Sequence, residues 1–501
     1  MTHSNPGRTE SQSGIAAATP RLAAADAPWN AREVSAELYG MPAMLSREER
    51  RYLTWLTEHC FEGFGAIVDL GCWLGGSSCA LAEGLARAGK PHRIHSYDLF
   101  VWEPGYMEQD APLGRPQGWD FLPEFERRTA KYRQWLAPKK VDLTTFTWTG
   151  GPIEILFVDA AKTWGLLNSI LAAFGPALVP GRSRVVFQDY RYFPCHWLVP
   201  VIESRPDVWR EAEAVAEGYT VTFVPLRDLH GPGGLPARYG VDSFRFAGVE
   251  HIVRRRIEHE HATSRDDLLR VLMCWALLDG TVAERERIAG ELFAGRTAPL
   301  SADERTWLLD PAKICLEAGW RALSAGEHGL ADHFAQRLLA ERPDHLPALL
   351  LALQVQSAAH GLESIAPLLT RIEGVAPRDP RVLLWGLTLR HARSQFAGIV
   401  EQIQAMLAAG LDEALRPWAI GVLCNCLRGR GDLAVAVATL RSLVPAHGNV
   451  AVLQARLAEA LSMAGERDQA RAHLARAFEL EPTNQVAIEV QALLQRGGAA
   501  G

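Results

Sequence analysis

Short apolar runs alternate with helical segments over residues 30–250. The runs have the length and the Val, Ile and Phe content of buried strands. They lie at Ala66–Leu70, Arg93–Tyr97, Val141–Trp148, Ile153–Val158, Arg184–Phe187, Val221–Pro225 and Ser243–Ala247. Strands separated by helices form a mainly parallel sheet with helices on both faces. The pattern therefore predicts an α/β domain with a seven-stranded sheet, to which the last pair, joined by residues 227–240, adds an antiparallel edge strand.

After residue 250 the strand pattern ends, and residues 264–495 have the pattern of helices with an internal repeat. The clearest unit is 451–484, a 34-residue stretch with the residue types of a helix–turn–helix repeat. Counted from Ala451, its characteristic positions 7, 8, 11, 15, 20, 24, 27 and 32 hold, in this order, Leu457, Ala458, Leu461, Gly465, Ala470, Leu474, Ala477 and Pro482. Small residues let two helices approach, and the proline ends the second helix. Turn glycines recur at 326, 361, 431 and 465, with one turn missing near Gln395. This spacing resembles a tetratricopeptide repeat (TPR) array of about five units, an all-α solenoid.

These patterns divide the chain into four parts. Residues 1–28 are rich in Ser, Ala, Gly and Pro and are predicted to be a disordered tail. The α/β domain takes 30–250, a helical connector or cap 251–310, and the TPR-like repeats 311–495. Because contacts in a solenoid are local, we expect a break near 250–265 and separable domains.

The first predicted strand ends in Asp69, and a glycine turn leads from it into a helix. A dinucleotide fingerprint would be GxGxxG; this turn is Asp-x-Gly-x-x-x-Gly, which disfavours a nicotinamide-dependent oxidoreductase. The turn resembles the first motif of class I S-adenosylmethionine (SAM) methyltransferases, which have a Rossmann-like fold. The resemblance implies that Asp69, Gly71, Gly75, Gly76 and Ser77 bind the methionine part of SAM.

The second predicted strand is followed by Asp98. An acid at this place can accept hydrogen bonds from both hydroxyls of a ribose, and in the methyltransferase resemblance it is the ribose-binding acid. A helix cap or a loop aspartate is the alternative. Asp142, on the third predicted strand, is expected to border the adenine.

The fourth and fifth strands supply the candidates for chemistry. Asp159 follows the fourth strand, and Asp189 lies in Gln188-Asp189-Tyr190 after the fifth. With a Leu178-Val-Pro-Gly181 turn between them, residues 45–250 resemble the macrocin-type sugar O-methyltransferases. The resemblance implies methylation of a sugar or another small-molecule hydroxyl, for which Asp159, Asp189 and His196 compete as the base.

Two further residues of this region are candidates for binding the acceptor. Lys162 follows the fourth strand closely, where its charge suits a carboxylate or phosphate, although a solvated lysine needs no role. Trp164 offers an aromatic face for a sugar ring, and packing alone is its alternative.

Metal dependence is left open. Family members with a Mg²⁺ site carry further carboxylates, but here those places are Ala160, Ala161 and Gln188. Mg²⁺ favours oxygen ligands and accepts waters, so it is compatible with the sequence but not implied, and no metal ligand is assigned.

Charge and cysteine content limit the partners and the cellular location that the sequence predicts. The formal net charge is −6, so the chain lacks the excess of basic residues that is typical of nucleic-acid-binding proteins. The sequence contains no run of about 18 apolar residues, the length that a membrane-spanning helix needs. The eight cysteines form no CxxC pair, so we expect reduced thiols and a cytoplasmic protein. The expected partners are a small-molecule acceptor and a protein or peptide in the TPR groove. The alternative function is a TPR interaction scaffold whose methyltransferase-like domain binds SAM without turnover.

Overall fold

The computed structural model describes residues 27–258, 262–294, 305 and 308–498. Most of the predicted tail lies outside these residues. Among the described helices, none has both the length and the apolar character needed to cross a bilayer.

The α/β domain is built on one seven-stranded sheet. Its strands are β1 Ala66–Leu70, β2 Ile94–Asp98, β3 Leu136–Lys140, β4 Ile153–Val158, β5 Arg184–Phe187, β6 Trp209–Ala214 and β7 Val221–Pro225. The spatial order is β3-β2-β1-β4-β5-β7-β6. The pairs among β1 to β5 are parallel, whereas β7 runs antiparallel to both β5 and β6. The prediction of seven strands in a mainly parallel sheet is confirmed.

Three details of the predicted sheet are wrong. Residues 141–148 form a loop after β3 and not a strand. Their apolar side chains, which suggested a strand, pack against the core from irregular backbone. Residues 243–247 lead into a helix, Phe246–Ile257. Two strands were not predicted, β3, which ends before residue 141, and β6, whose sequence WREAEA has few apolar residues because it lies at the sheet edge. As a result, the antiparallel strand β7 lies inside the sheet and not at its edge.

Helices cover both faces of the sheet. Before β4 they are α1 Ala36–Gly40, α2 Arg47–Trp55, α3 Gly76–Arg87, α4 Pro104–Met107 and α5 Leu122–Arg128; after it come α6 Trp164–Phe174, α7 Leu198–Glu203 and α8 Phe246–Ile257. Alternate residues of the strands enter two cores. Val68 and Leu70 belong to the core that contains α6 and α7, and Ile67 belongs to the core that contains α3. This alternation is what a sheet covered on both sides requires.

The connector is part of the α/β core. Helices α9 Ala262–Asp279 and α10 Val282–Phe293 follow α8, and residues 268–278 of α9 are almost all buried in the core that also holds Val68 and Phe187. Helix α8 crosses the predicted boundary at residue 250, and the guanidinium of its Arg256 pairs with Glu203 at 2.9 Å. The described residues of α8 and α9 therefore share one hydrophobic core with the sheet, although a break was expected near 250–265.

The C-terminal region is a series of helix pairs. They are α11 Pro311–Ser324 and α12 His328–Glu341, α13 Leu346–His360 and α14 Ala366–Val375, α15 Pro380–Ala392 and α16 Ile399–Ala408, α17 Arg416–Arg430 and α18 Leu433–His447, α19 Ala451–Met463 and α20 Arg467–Leu480, with α21 Gln485–Gly498 at the end. The first helices of successive pairs begin 34 to 36 residues apart, which confirms a helical-repeat region.

Four of the turns in these pairs contain a glycine with positive φ. Gly326, Gly361, Gly431 and Gly465 have φ between +73° and +83°. Near the missing turn, Ser394 has φ +58°. A non-glycine residue in the left-handed region explains why the glycine pattern breaks there although the helix pair remains.

Candidate functional site

The carboxyl ends of the parallel strands meet at one edge of the sheet. The chain runs outward from β1 through β2 to β3, then returns to place β4 on the other side of β1. Ligands of open α/β sheets bind at such a reversal. The Gly71 amide donates to the Tyr97 carbonyl at 2.9 Å, and the Asp159 amide donates to the Leu70 carbonyl at 2.9 Å. These bonds fix the ends of β1, β2 and β4 against one another.

Asp69 is buried at the end of β1. Its Oδ2 accepts hydrogen bonds from the hydroxyls of Ser77 at 2.9 Å and Ser78 at 2.6 Å. Its Oδ1 is buried and has no partner. Burial raises the pKa of Asp69 to about 6. The carboxylate is fully buried, and Ser78, which the sequence analysis missed, acts with Ser77 to orient it.

The glycines of the first turn are explained by packing within the chain. Gly71 has φ +81°, and a Cβ there would lie 2.8 Å from the Asp159 carbonyl oxygen. At Gly75, with φ +96°, a Cβ would collide with Thr129, and at Gly76 it would collide with Ala43. The space at all three is thus taken by protein atoms, whereas the resemblance had implied that glycine makes room for a ligand.

Asp98 lies at the end of β2 and is held by backbone amides. Its two oxygens accept from Trp73 N and Phe100 N, each at 2.9 Å. Both donors have positive φ, +41° at Trp73 and +53° at Phe100. Such strain persists only where the surrounding structure imposes it, and it concentrates at functional sites. Burial raises the pKa of Asp98.

Asp142 lies in the loop two residues beyond β3 and not on a strand. Its side chain is exposed, and its Oδ1 accepts from the backbone N and the hydroxyl of Thr144 at 2.9 and 2.6 Å. The preceding residue, Val141, donates its amide to the Asp98 carbonyl at 2.8 Å. Asp142 is therefore at the same edge of the sheet as Asp98.

Lys162 joins the two carboxylates that follow β4 and β5. Its Nζ lies 2.6 Å from Asp159 Oδ1 and also contacts Asp189 Oδ2. Burial raises the pKa of Asp159 to about 7, against the lowering effect of Lys162. Burial alone would lower the pKa of Lys162, but the two carboxylates outweigh it and hold the pKa well above its usual value. The lysine therefore stays protonated at neutral pH, and the raised pKa of Asp159, about 7, lies in that range.

The donor set around this cluster does not fit a Mg²⁺ site. Both carboxylates are already paired with one ammonium group, and the Gln188 amide is turned away to donate to the Met44 carbonyl at 3.3 Å. Within the described parts of the chain, no group of three or more His, Cys, Asp or Glu side chains could hold a metal ion.

His196 and Trp164 lie in the core and not at the edge of the sheet. His196 is 2% exposed and Trp164 is 4% exposed. Trp275 of α9 packs against both rings and donates its Nε1 to the His196 carbonyl at 2.9 Å. Burial lowers the pKa of His196 to about 3. The geometry thus offers neither side chain to a bound molecule, because the connector helix covers them.

Two other residues reach the carboxylate cluster from distant parts of the chain. Tyr106 comes from the segment after β2; burial of its hydroxyl raises its pKa, the charge of Lys162 lowers it, and those of Asp159 and Asp189 raise it further. Arg321, from the first repeat helix α11, donates to the Lys162 carbonyl at 3.3 Å. No motif in the sequence marks either residue, because each depends on a contact between distant segments.

Comparisons with known proteins assign no family. No family model matches the chain, and no curated protein matches it. Among solved structures, the chain is similar to the one titled "Crystal Structure of the Yeast Tom70", with 11% sequence identity and a TM-score of 0.32. The match covers 51% of this chain and 54% of that chain, so it spans about half the length of each. A likeness this weak identifies neither a family nor a function.

Proposed function

We propose that the protein is a SAM-dependent methyltransferase that acts on a hydroxyl group. The observation that carries the proposal is the set of three carboxylates, Asp69, Asp98 and Asp159, gathered where the strand order reverses between β1 and β4. This is where open α/β sheets bind their ligands. The mainly parallel seven-stranded sheet is also the one that the sequence resemblance implies.

Asp69 and Asp98 are the residues that would hold SAM. The unpartnered Oδ1 of Asp69 suits the ammonium group of the methionine part, which would reach it after displacement of the residues that bury Asp69. The Asp98 carboxylate, fixed by two backbone amides, has remaining lone pairs for ribose hydroxyls. Bound SAM would supply an electrophilic methyl group.

Asp159, Lys162 and Asp189 form the acceptor side of the proposed site. A base is most effective when its pKa is close to the working pH, and the pKa of Asp159 is raised to about 7. Asp159 therefore accepts the hydroxyl proton, while Lys162 and Asp189 hold it in position. A sugar is a suitable acceptor, because its hydroxyl groups can donate hydrogen bonds to these carboxylates and its ring can pack against the exposed ring of Tyr106.

The helical repeats are proposed to be a TPR array that binds a protein or peptide partner. Arrays of helix pairs present extended concave surfaces for such partners. All eight cysteines are free, which suits the reducing cytoplasm where we place the protein.

Calorimetric titration with SAM and, separately, with NAD tests the proposal. We expect SAM to bind with micromolar affinity, about −8 kcal/mol, and NAD not to bind. Asp98→Ala should weaken SAM binding at least tenfold, since each charge-assisted hydrogen bond contributes about 1.5–3 kcal/mol. Glu62→Ala, which removes an exposed carboxylate that precedes β1 and pairs with Arg182, is the matched control and should leave the affinity unchanged.

A second measurement separates an enzyme from a scaffold. Labelled SAM is incubated with a panel of sugars and nucleotide sugars, and methyl transfer is counted. Transfer supports the enzyme, and SAM binding without transfer to any hydroxyl supports the scaffold. If NAD binds and SAM does not, the assignment of the site is wrong.

A further inference from the structure

The segment after β2, here called the β2 loop (residues 99–121), folds back on itself. Its two ends pair through backbone hydrogen bonds. Trp102 N donates to the Trp119 carbonyl at 2.8 Å, Gly118 N to the Trp102 carbonyl at 2.9 Å, and Phe121 N to the Phe100 carbonyl at 3.0 Å. Phe100 and Trp102 are fully buried, and the Phe100 ring packs on Phe121 at 5.3 Å. A displacement of Gly118 therefore moves Phe100 with it.

One end of this unit forms part of the proposed cofactor pocket. Phe100 N is one of the two amides that hold the Asp98 carboxylate, and it does so from a strained backbone with φ +53°. A shift of the β2 loop would remove a donor from Asp98 and change its orientation.

The other end contacts the far end of the repeat region. Gly118 is buried, and a Cβ there would lie 3.4 Å from the Thr483 Cβ and collide with the Thr483 hydroxyl. Thr483 belongs to the turn between α20 and α21, which is fixed by bonds from Asn484: its amide donates to the Glu481 carbonyl at 3.0 Å, and its Oδ1 accepts from Ala487 N at 3.0 Å. The β2 loop and the turn that contains Thr483 are thus in direct contact.

Resting on the proposed function, we propose that this contact is an intramolecular interface coupled to SAM binding. With the Thr483 turn seated on Gly118, Phe100 and Asp98 are held in the geometry that binds SAM. A partner that pulls the last repeat away lowers the affinity for SAM. Because coupling between two equilibria is reciprocal, SAM in turn favours the closed contact.

A disulfide across the contact tests the coupling. The Cβ separation is close to the roughly 3.5–4.5 Å of protein disulfides, so Gly118→Cys with Thr483→Cys should form one under mild oxidation. Seven of the eight native cysteines are buried, which limits competing reactions. The single variants are the controls, because neither can close the bridge: Gly118→Cys carries the strain at the positive-φ position, and Thr483→Cys carries the other substitution alone.

We expect the oxidised double variant to bind SAM at least about fivefold more tightly than the same protein reduced. SAM should shift the thiol–disulfide equilibrium of the double variant towards the disulfide by the same factor. Neither single variant should respond to oxidation.

An independent variant avoids the strained glycine. Thr483→Arg places a long side chain against Gly118 from an exposed position and should weaken SAM binding. Glu489→Arg, on the exposed face of α21, should not.

The coupling is overturned if the oxidised and reduced forms bind SAM equally, if oxidation weakens binding, or if Thr483→Arg and Glu489→Arg behave alike. Absence of SAM binding in the parent would instead reject the proposed function and the coupling with it, and the disulfide yield would still report the contact.

Discussion

Replacing Trp275 tests whether the connector helix belongs to the core of the α/β domain. Trp275 is fully buried, its ring centroid lies 5.6 Å from that of His196 and 6.0 Å from that of Phe244, and its Nε1 donates to the His196 carbonyl. If α9 belonged to a separate unit, loss of this side chain would not destabilise the sheet. We predict that its loss does destabilise the sheet.

The expected loss follows from these contacts. Truncating a buried tryptophan to alanine costs about 3–5 kcal/mol, and leaving a buried carbonyl without its donor costs about 1–3 kcal/mol. Trp275→Ala should therefore lower the free energy of unfolding by at least about 4 kcal/mol, a large share of the 5–15 kcal/mol typical of folded proteins. Trp275→Phe keeps most of the ring and should lose only about 1–3 kcal/mol.

Urea titration followed by circular dichroism measures the loss, and hydrogen exchange locates it. The amides of β4 and β5 should exchange faster in Trp275→Ala, because helix and sheet share one core. Trp320→Ala is the control, since Trp320 is 36% exposed on α11, and its loss should be small. The reasoning fails if the two alanine variants are equally stable, or if only the connector amides exchange faster.

Three further predictions follow from the core and the carboxylate cluster. The fragment 27–258 should aggregate, because it exposes the surface that α9 buries, and a soluble, folded fragment on gel filtration would contradict the shared core. Methyl transfer should rise with pH through about 7 as Asp159, whose pKa is raised to about 7, loses its proton; Asp159→Asn should lack this rise and lose about 10²–10⁴-fold in rate. Asp189→Asn should slow methyl transfer with the SAM affinity unchanged, and normal turnover would restrict Asp189 to a structural role.

Much of the sheet could be predicted because its inner strands are continuous apolar runs. The bounds of β1, β4, β5 and β7 agree with the sequence analysis. The two edge strands do not: β3 contains Pro138 and two lysines, and β6 alternates with charged residues. An edge strand is half solvated, so its hydrophobic pattern is weak and neighbouring loops can have a stronger one.

The sequence could predict the part of the candidate site that consists of residues at the ends of strands. Asp69 and Asp98 lie at the ends of β1 and β2, and Asp159 and Asp189 follow β4 and β5. Parallel strands bring such residues to one edge of the sheet. The burial of His196 was not predictable, since it depends on Trp275 about 80 residues further along the chain. The ion pairs of Lys162 were missed for the same kind of reason: the spacing of Asp159 and Lys162 is visible, but the approach of Asp189 depends on the packing of β5 beside β4.

A crystal structure with S-adenosylhomocysteine tests the central claim most directly. The proposal requires the ribose hydroxyls to lie within hydrogen-bond distance of Asp98, about 2.5–3.0 Å, with the amino group against Oδ1 of Asp69. The sulfur should face the cluster of Asp159, Lys162 and Asp189. Density for the ligand at any other edge of the sheet, or on the helical repeats alone, would contradict the proposal.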